Sequence, residues 1–277
     1  PRVEPYWIAT TFACIEGRGT GAASEWAERS ARKVTQGWSQ KAYVLQADIK
    51  NFFPRIMRQK LHEMLKPRTY EPWLDHLVNE IINVDVTANA HLPGDPSLLK
   101  LIPEFKSLWN AEPGRGLPIG NLTSQFGANV YLDNVDQVIA RSKIAKFYGR
   151  YVDDIVLMDQ DIDKLRQAYK VLTAELHKLG LKLHPDKTRC APIRDGFDFC
   201  GRFILPHRSY LRKKTAKRGR LAMKTLDNNK HRGETVTSYL ALARPCNSYN
   251  LRKNWAIEAS QHNVVFMRNL TKARHKL

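Results

Sequence analysis

Residues 147–158, Phe-Tyr-Gly-Arg-Tyr-Val-Asp-Asp-Ile-Val-Leu-Met, constrain the fold more than any other stretch. The run is rich in aromatic and β-branched residues and reads as a buried β-hairpin, yet two adjacent carboxylates, Asp153 and Asp154, interrupt it. Like charges side by side in low dielectric must be paired, protonated or metal-bound. A tight Asp-Asp turn facing water is the plain alternative. A third carboxylate on another strand and a large excess of positive charge argue for cations instead.

With 277 residues and 43% apolar side chains, the chain can bury a sizeable core as one large domain or two or three packed subdomains. Its formal charge is +18, which points to a polyanionic partner, nucleic acid before an anionic membrane or an acidic protein. There is no run of 18 apolar residues and no basic-then-apolar leader, so a cytoplasmic location is expected. Cys14, Cys190, Cys200 and Cys246 are widely spaced and form no Cys-x-x-Cys pair, which suggests neither a zinc site nor a disulfide scaffold.

The third carboxylate is Asp48, at the end of a strand-like run from Ala42 to Ile49. Lys50-Asn51-Phe52-Phe53-Pro54 then turns the chain into a helix with Ile56, Leu61 and Leu65 as its stripe, and the helical period continues over 67–83. Residues 84–113 lose periodicity and read as a connection with a short helix near Leu98 to Leu108. Gly116-Leu-Pro-Ile-Gly-Asn-Leu-Thr-Ser-Gln125 leads into a helix from about Ser124 to Ala140, and Gly120 permits close approach to a ligand. After the 145–158 hairpin come an amphipathic helix ending at Gly180, the turn His184-Pro-Asp-Lys187, and a second hairpin over 197–205 bent at Gly201. Earlier in the chain, Ala22 to Val34 suits a helix. Strand, helix, hairpin, helix, strand is the order of a split βαβ sheet with helices on one face, in an α+β fold. Its two central strands would set Asp48 beside Asp153.

Residues 207–277 differ in kind, with 17 Lys or Arg against only Asp227, Glu234 and Glu258. Arg212, Lys213, Lys214, Lys217, Arg218 and Arg220 read as an exposed basic helix that clamps a nucleic-acid backbone, with a solvated charged face as the plain alternative. Three carboxylates on adjacent strands can hold two divalent ions, one activating a hydroxyl and one stabilising a phosphoryl group, and Mg2+ suits such oxygen ligands. Composition and spacing alone leave polymerase and nuclease both open.

Ala47-Asp48-Ile49-Lys50-Asn51-Phe52-Phe53, Gly116 to Gln125 and Tyr151-Val-Asp-Asp154 resemble, in order, the three core palm motifs of reverse transcriptases. Pro185-Asp-Lys187-Thr resembles the lysine-bearing motif that follows, and Phe199-Cys-Gly-Arg202 the hairpin that grips the primer. Ile119-Gly with Ser124-Gln125 is similar to the enzymes of diversity-generating retroelements, where group II intron and retron relatives usually carry Gln-Gly and Ser-Pro.

The resemblance implies a right-hand polymerase with fingers, split βαβ palm and helical basic thumb, the N-terminal part of the fingers being absent. It divides the chain into partial fingers (1–41), first palm part (42–66), fingers helices and insertion (67–115), second palm part with the primer-grip hairpin (116–206) and thumb (207–277). It further implies that Asp48 and Asp153 bind two Mg2+ ions, with Asp154 and the Ile49 backbone carbonyl assisting, and that Lys187 protonates the leaving pyrophosphate. Phe53, Ile119, Gly120, Ser124 and Gln125 would contact the incoming deoxynucleoside triphosphate, and Phe199, Cys200 and Gly201 would form the primer grip. The implied activity is error-prone, RNA-directed DNA synthesis for mutagenic retrohoming, in a bacterial or phage-encoded system. The implied partners are a template RNA, a cDNA or primer and a small basic pentameric accessory protein. A phage-defence or group II-like reverse transcriptase is the nearest alternative, and a non-catalytic RNA-binding module that keeps the palm is the alternative of another class.

Overall fold

Apolar periodicity places the elements. The structure, a computed structural model, describes residues 7–88, 94–103, 107–226, 231–262, 264–266 and 273–275. In chain order the elements begin with α1 (Thr20–Val34), β1 (Tyr43–Asp48), α2 (Phe52–Arg55), α3 (Arg58–Leu65) and α4 (Pro72–Asn83). There follow α5 (Leu122–Ser142), β2 (Phe147–Tyr151), β3 (Asp154–Asp159), α6 (Ile162–Lys178) and β4 (Arg189–Pro192). The last are β5 (Phe197–Phe199), β6 (Arg202–Leu205), β7 (Arg208–Leu211), α7 (Lys213–Lys224), α8 (Arg232–Ala243), α9 (Tyr249–Ser260), β8 (Val264–Phe266) and β9 (Ala273–His275). They fall into two compact units, Pro1–Ala23 with Ala42–Ala191 and Ser24–Lys41 with Pro192–Leu277. Among the described residues no helix is long and apolar enough to cross a membrane.

In the first unit the sheet order is β2-β3-β1-β4, the split arrangement expected from the element order. β1 and β3 are the two central strands, antiparallel from Tyr43 opposite Asp159 to Asp48 opposite Asp154. The pleat sends alternate side chains to opposite faces. Leu45 and Ala47 therefore share a face with their partners Leu157 and Ile155, in one core with Val130, Leu132, Val135 and Ile139 of α5 and Leu165, Leu172 and Leu176 of α6. By the same alternation, Asp48 and Asp154 lie on the face away from α5 and α6. α6 starts because the Asp161 side chain accepts the Asp163 N–H. It stops at Gly180, whose φ of 68° lets the Leu181 N–H return to the Leu176 carbonyl.

Two helical readings need adjustment. The helix expected directly after Pro54 is split at Ile56 into α2 and α3, and the helical period over 67–83 becomes a 3-10 turn, Lys66–Arg68, before α4 starts at Pro72. Proline explains the second break, since Pro72 restricts Glu71 to the extended backbone it adopts. Where a short helix was expected near Leu98 to Leu108, the described residues form 3-10 turns at Pro96–Leu101 and Leu108–Asn110, and 104–106 lie outside them.

In the second unit β5, β6 and β7 form a meander. Cys200 and Gly201 make its first turn, with φ of 47° and 84°, the two left-handed residues that a tight hairpin of matching twist requires. The helices α7, α8 and α9 pack around Met223, Leu240 and Trp255. This grouping joins the 197–205 hairpin to the C-terminal helices and is coarser than the five-part division set out above.

The basic helix α7 sits on its core through a missing side chain. A Cβ on Gly219 would lie 2.4 and 2.7 Å from ring atoms of Trp255, itself buried. Gly219→Ala in an unpacked helix would gain up to about 1 kcal/mol. Here overpacking outweighs that gain, and denaturant unfolding is expected to show a loss of about 1–3 kcal/mol. A stabilised variant would contradict the packing of α7 on Trp255.

Candidate active site

Three carboxylates meet at the end of the central strands. Asp48 closes β1 directly opposite Asp154, the first residue of β3. Asp153 stands in the two-residue turn joining β2 to β3, between the paired residues Tyr151 and Asp154. The turn is tied to β1, since the Ile49 N–H donates to the Asp153 carbonyl at 3.1 Å. Val152, the other turn residue, has φ of 55°, a left-handed conformation that is an outlier for a β-branched side chain.

What holds Val152 there is a group that sequence reasoning passed over. The Arg150 guanidinium, 1% exposed, donates from one terminal nitrogen to the Val152 carbonyl at 2.9 Å. Its Nε and other terminal nitrogen bind the equally buried Asp136 carboxylate at 2.8 and 2.6 Å. Asp136 also accepts the Thr11 hydroxyl at 2.9 Å and the Tyr148 hydroxyl at 2.6 Å, while Asn129 Oδ1 lies 3.3 Å from Arg150. Burial lowers the Arg150 pKa and the Asp136 carboxylate more than restores it, leaving the guanidinium charged. Burial, then Asp136, push the Tyr148 phenol well above its ordinary value. The available signal was an Arg inside a strand and an Asp inside an apolar helical run, two opposite charges where neither belongs alone.

Lys187 brings a counter-charge to the acidic end. His184 donates its N–H to the Asp48 carbonyl at 2.7 Å and Lys50 to that of Lys182 at 2.8 Å, so residues 182–184 run beside 48–50. The 3-10 turn Pro185–Lys187 then brings the Lys187 ammonium onto both oxygens of Asp48, each at 2.9 Å. The hydrogen bond to Asp48 raises the Lys187 pKa against a smaller desolvation. The Asp153 carboxyl is pushed up to about 6, first by burial, then by Asp154 and Asp48. Burial and like-charged neighbours together favour a cation at this carboxyl. All-oxygen donors are what Mg2+ prefers, so Asp48, Asp153 and Asp154 fit the ion by chemistry. Among the described residues no three His, Cys, Asp or Glu side chains form a ready-made metal cage, and Lys187 covers Asp48.

The remaining candidates of the first unit divide. The Phe53 carbonyl accepts the Leu117 N–H at 3.1 Å, which ties the Gly116–Gly120 stretch to α2, and the Phe53 ring leans on buried Phe52. Ile119 is 71% exposed, unusual for so large an apolar residue, and the space around Gly120 is open. Ser124 is buried within α5, and half-buried Gln125 accepts from the Cys14 thiol at 3.0 Å. The second unit holds the others. Phe199 is buried edge-on to Trp26, the Gly201 carbonyl accepts the Arg212 N–H at 2.9 Å, and the Arg212 side chain binds Asp198 at 3.1 Å. Lys213, Lys214, Lys217, Arg218 and Arg220 are exposed along α7.

A family model described as reverse transcriptase (RNA-dependent DNA polymerase) matches residues 13–204, which include Asp48, Asp153, Asp154, Lys187 and the Arg150–Asp136 pair. The chain belongs to the reverse transcriptase family. Among solved structures, the reverse transcriptase chain is similar to telomerase from Candida albicans, a structure that includes a fragment of telomeric RNA. The TM-score is 0.54 at 13% identity, over 93% of this chain and 44% of that one. Telomerase from Candida tropicalis is similar at a TM-score of 0.48 and 13% identity, over 90% and 45%. The chain thus spans less than half of these telomerases, and at such identity the likeness concerns fold. A comparison with curated protein sequences gave no match.

Removing one partner of a buried ion pair leaves the other uncompensated. Arg150→Met and Asp136→Leu should each cost about 3–5 kcal/mol in denaturant unfolding. The double variant should cost less than the two together, and strict additivity would show that the pair is not coupled.

Proposed function

We propose that this chain is an RNA-directed DNA polymerase of the diversity-generating-retroelement type, extending a primer along a structured template RNA to make cDNA for mutagenic retrohoming. The observation that carries the reading is Asp48 in register with Asp154, with Asp153 in the adjoining strained turn. Asp48 and Asp153 would hold Mg2+ with help from Asp154 and the Ile49 carbonyl. The bound ions supply the charge that makes a primer hydroxyl nucleophilic and neutralises the phosphoryl oxygens.

The chain's own residues do the rest. Lys187 is a charged proton donor at the rim of the site, positioned on Asp48 and suited to the departing pyrophosphate. Phe53, rooted on Phe52, is the wall against a ribose 2′-hydroxyl. Exposed Ile119 presents an apolar surface where a Gln would offer hydrogen bonds, so the nascent base pair is checked less tightly. The Cys200–Gly201 turn would serve as the primer grip, and Lys213, Lys214, Lys217, Arg218 and Arg220 would hold the nucleic-acid backbone as a thumb. Family resemblance supports a small basic pentameric accessory protein as a partner.

Two experiments test this. Asp153→Ala should abolish Mg2+-dependent primer extension on RNA while RNA binding stays within about twofold, because the backbone clamp is untouched; retained synthesis would remove the assignment. Ile119→Gln should raise fidelity, most strongly opposite template adenine, and an unchanged error spectrum in sequenced cDNA would refute the role given to Ile119.

A further inference from the structure

The second unit contains a cleft of about 620 Å3 to which none of the roles above is assigned. Glu28, Arg29 and Arg32 of α1, Trp38, Arg202 and His207 are among the residues that line it. Its aromatic residues are held in costly conformations. Trp38 has φ of 75° and His207 φ of 63°, both left-handed, and for a side chain as bulky as Trp that is an outlier. Their ring centroids lie 6.0 Å apart at 55°.

The neighbouring backbone fixes the Trp38 conformation. α1 ends with the Gln36 N–H on the Lys33 carbonyl at 3.1 Å and the Gly37 N–H on the Arg32 carbonyl at 2.8 Å, the paired bonds of a glycine-type helix stop. Buried Thr35 accepts the Trp38 N–H at 3.0 Å and donates to the Ala31 carbonyl at 2.7 Å. Strain kept in place by this many bonds, on a half-buried aromatic at a cleft wall, points to use of the ring rather than to its packing.

The charges in the cleft are also unbalanced. Arg29 is paired with Glu25. Arg202 is 8% exposed, and among the described residues neither its side chain nor that of Arg32 has a hydrogen-bond or ion-pair partner. The Arg202 side chain is largely covered, but its guanidinium opens into the cleft without a partner there, a position that suits an anion. Glu28, likewise without a partner among the described residues, adds one acceptor. Aromatic face, two free guanidinia and one carboxylate complement a stacked base, its phosphate and the donors on its edge.

We infer that this cleft binds one unpaired nucleotide of a single-stranded polynucleotide, its base against Trp38 and His207 and its phosphate on Arg202 and Arg32. The site uses no residue of the acidic end of the sheet, and of the primer-grip hairpin it uses only Arg202. Binding is therefore measured without Mg2+ or deoxynucleotides, so that a failure of catalysis does not touch it.

A short oligouridylate carrying 4-thiouridine, irradiated with the full chain, should crosslink to the tryptic peptide 34–41, which contains Trp38. Absence of that adduct overturns the inference. Competition by unlabelled oligouridylate but not by uridine monophosphate assigns the site to a strand, and equal competition assigns the same chemistry to a free nucleotide. Trp38→Phe keeps the stacking face and should keep the crosslink, whereas Trp38→Leu, with the same backbone strain, should lose it roughly tenfold. Equal effects of the two would reduce Trp38 to packing. Arg202→Met should lower affinity and make the salt dependence of binding shallower by about one unit of slope, with an unfolding midpoint that does not fall. An unchanged slope, or a lowered midpoint, would show that Arg202 serves the fold rather than a phosphate.

Discussion

The buried pairing of Arg150 with Asp136 is the interaction on which the first unit turns. It takes one charge from a sheet strand and one from the helix packed on that sheet, and it uses its remaining donors on Val152 and Asn129. Such a pair is poor evidence of stability in itself, because desolvation cancels much of the attraction. What it contributes is direction. A guanidinium held rigidly by a carboxylate presents a fixed donor to the Val152 carbonyl, and the turn that carries Asp153 has no freedom to relax. The hydroxyls of Thr11 and Tyr148 complete the carboxylate's bonds, so the network is satisfied without water.

This order at the back of the turn permits disorder of charge at its front. Three carboxylates are held close by register and turn geometry, and the Lys187 ammonium answers Asp48. The strands cannot part to relieve the repulsion, since Leu45, Ala47, Ile155 and Leu157 anchor them in the core. Burial first, and the repulsion second, appear as the raised Asp153 pKa. Lys187 places a cation on Asp48 from a side chain that is more than half exposed.

Much of this was legible in the sequence where local chemistry and fold agree. Runs rich in apolar, aromatic and β-branched residues placed β1 and β3, Gly180 ended α6, and Gly201 marked a hairpin bend. Element order brought Asp48 to the Asp153-Asp154 pair, because a split βαβ arrangement leaves few places for the two central strands, but the residue in register is Asp154 and Asp153 stands in the turn. What could not be read were relations between distant residues. Nothing local to Arg150 says that its partner is Asp136, nor that Lys187 bends back onto Asp48, 139 positions earlier. Exposure was equally hidden. Ser124 and Ile119 sit in one motif, yet one is buried and the other open, because α5 begins between them and turns one side chain inward. The break at Ile56 escaped notice because periodicity persists across it while the Ile56 backbone turns extended.

The hydrogen bonds of Thr10, Thr11 and Phe12 have a consequence for how the chain is made. Thr10 and Phe12 bond the backbone of Arg150, and Thr11 bonds the side chain of Asp136. These early residues leave the ribosome with no partner, and at about 5–20 residues per second some ten seconds pass before their partners exist. Contacts so remote in sequence are slow to close and leave an apolar segment uncovered in the meantime. The turn that carries Asp153 is therefore completed only once residue 150 has met the segment around residue 11, so its final geometry is a late product of folding.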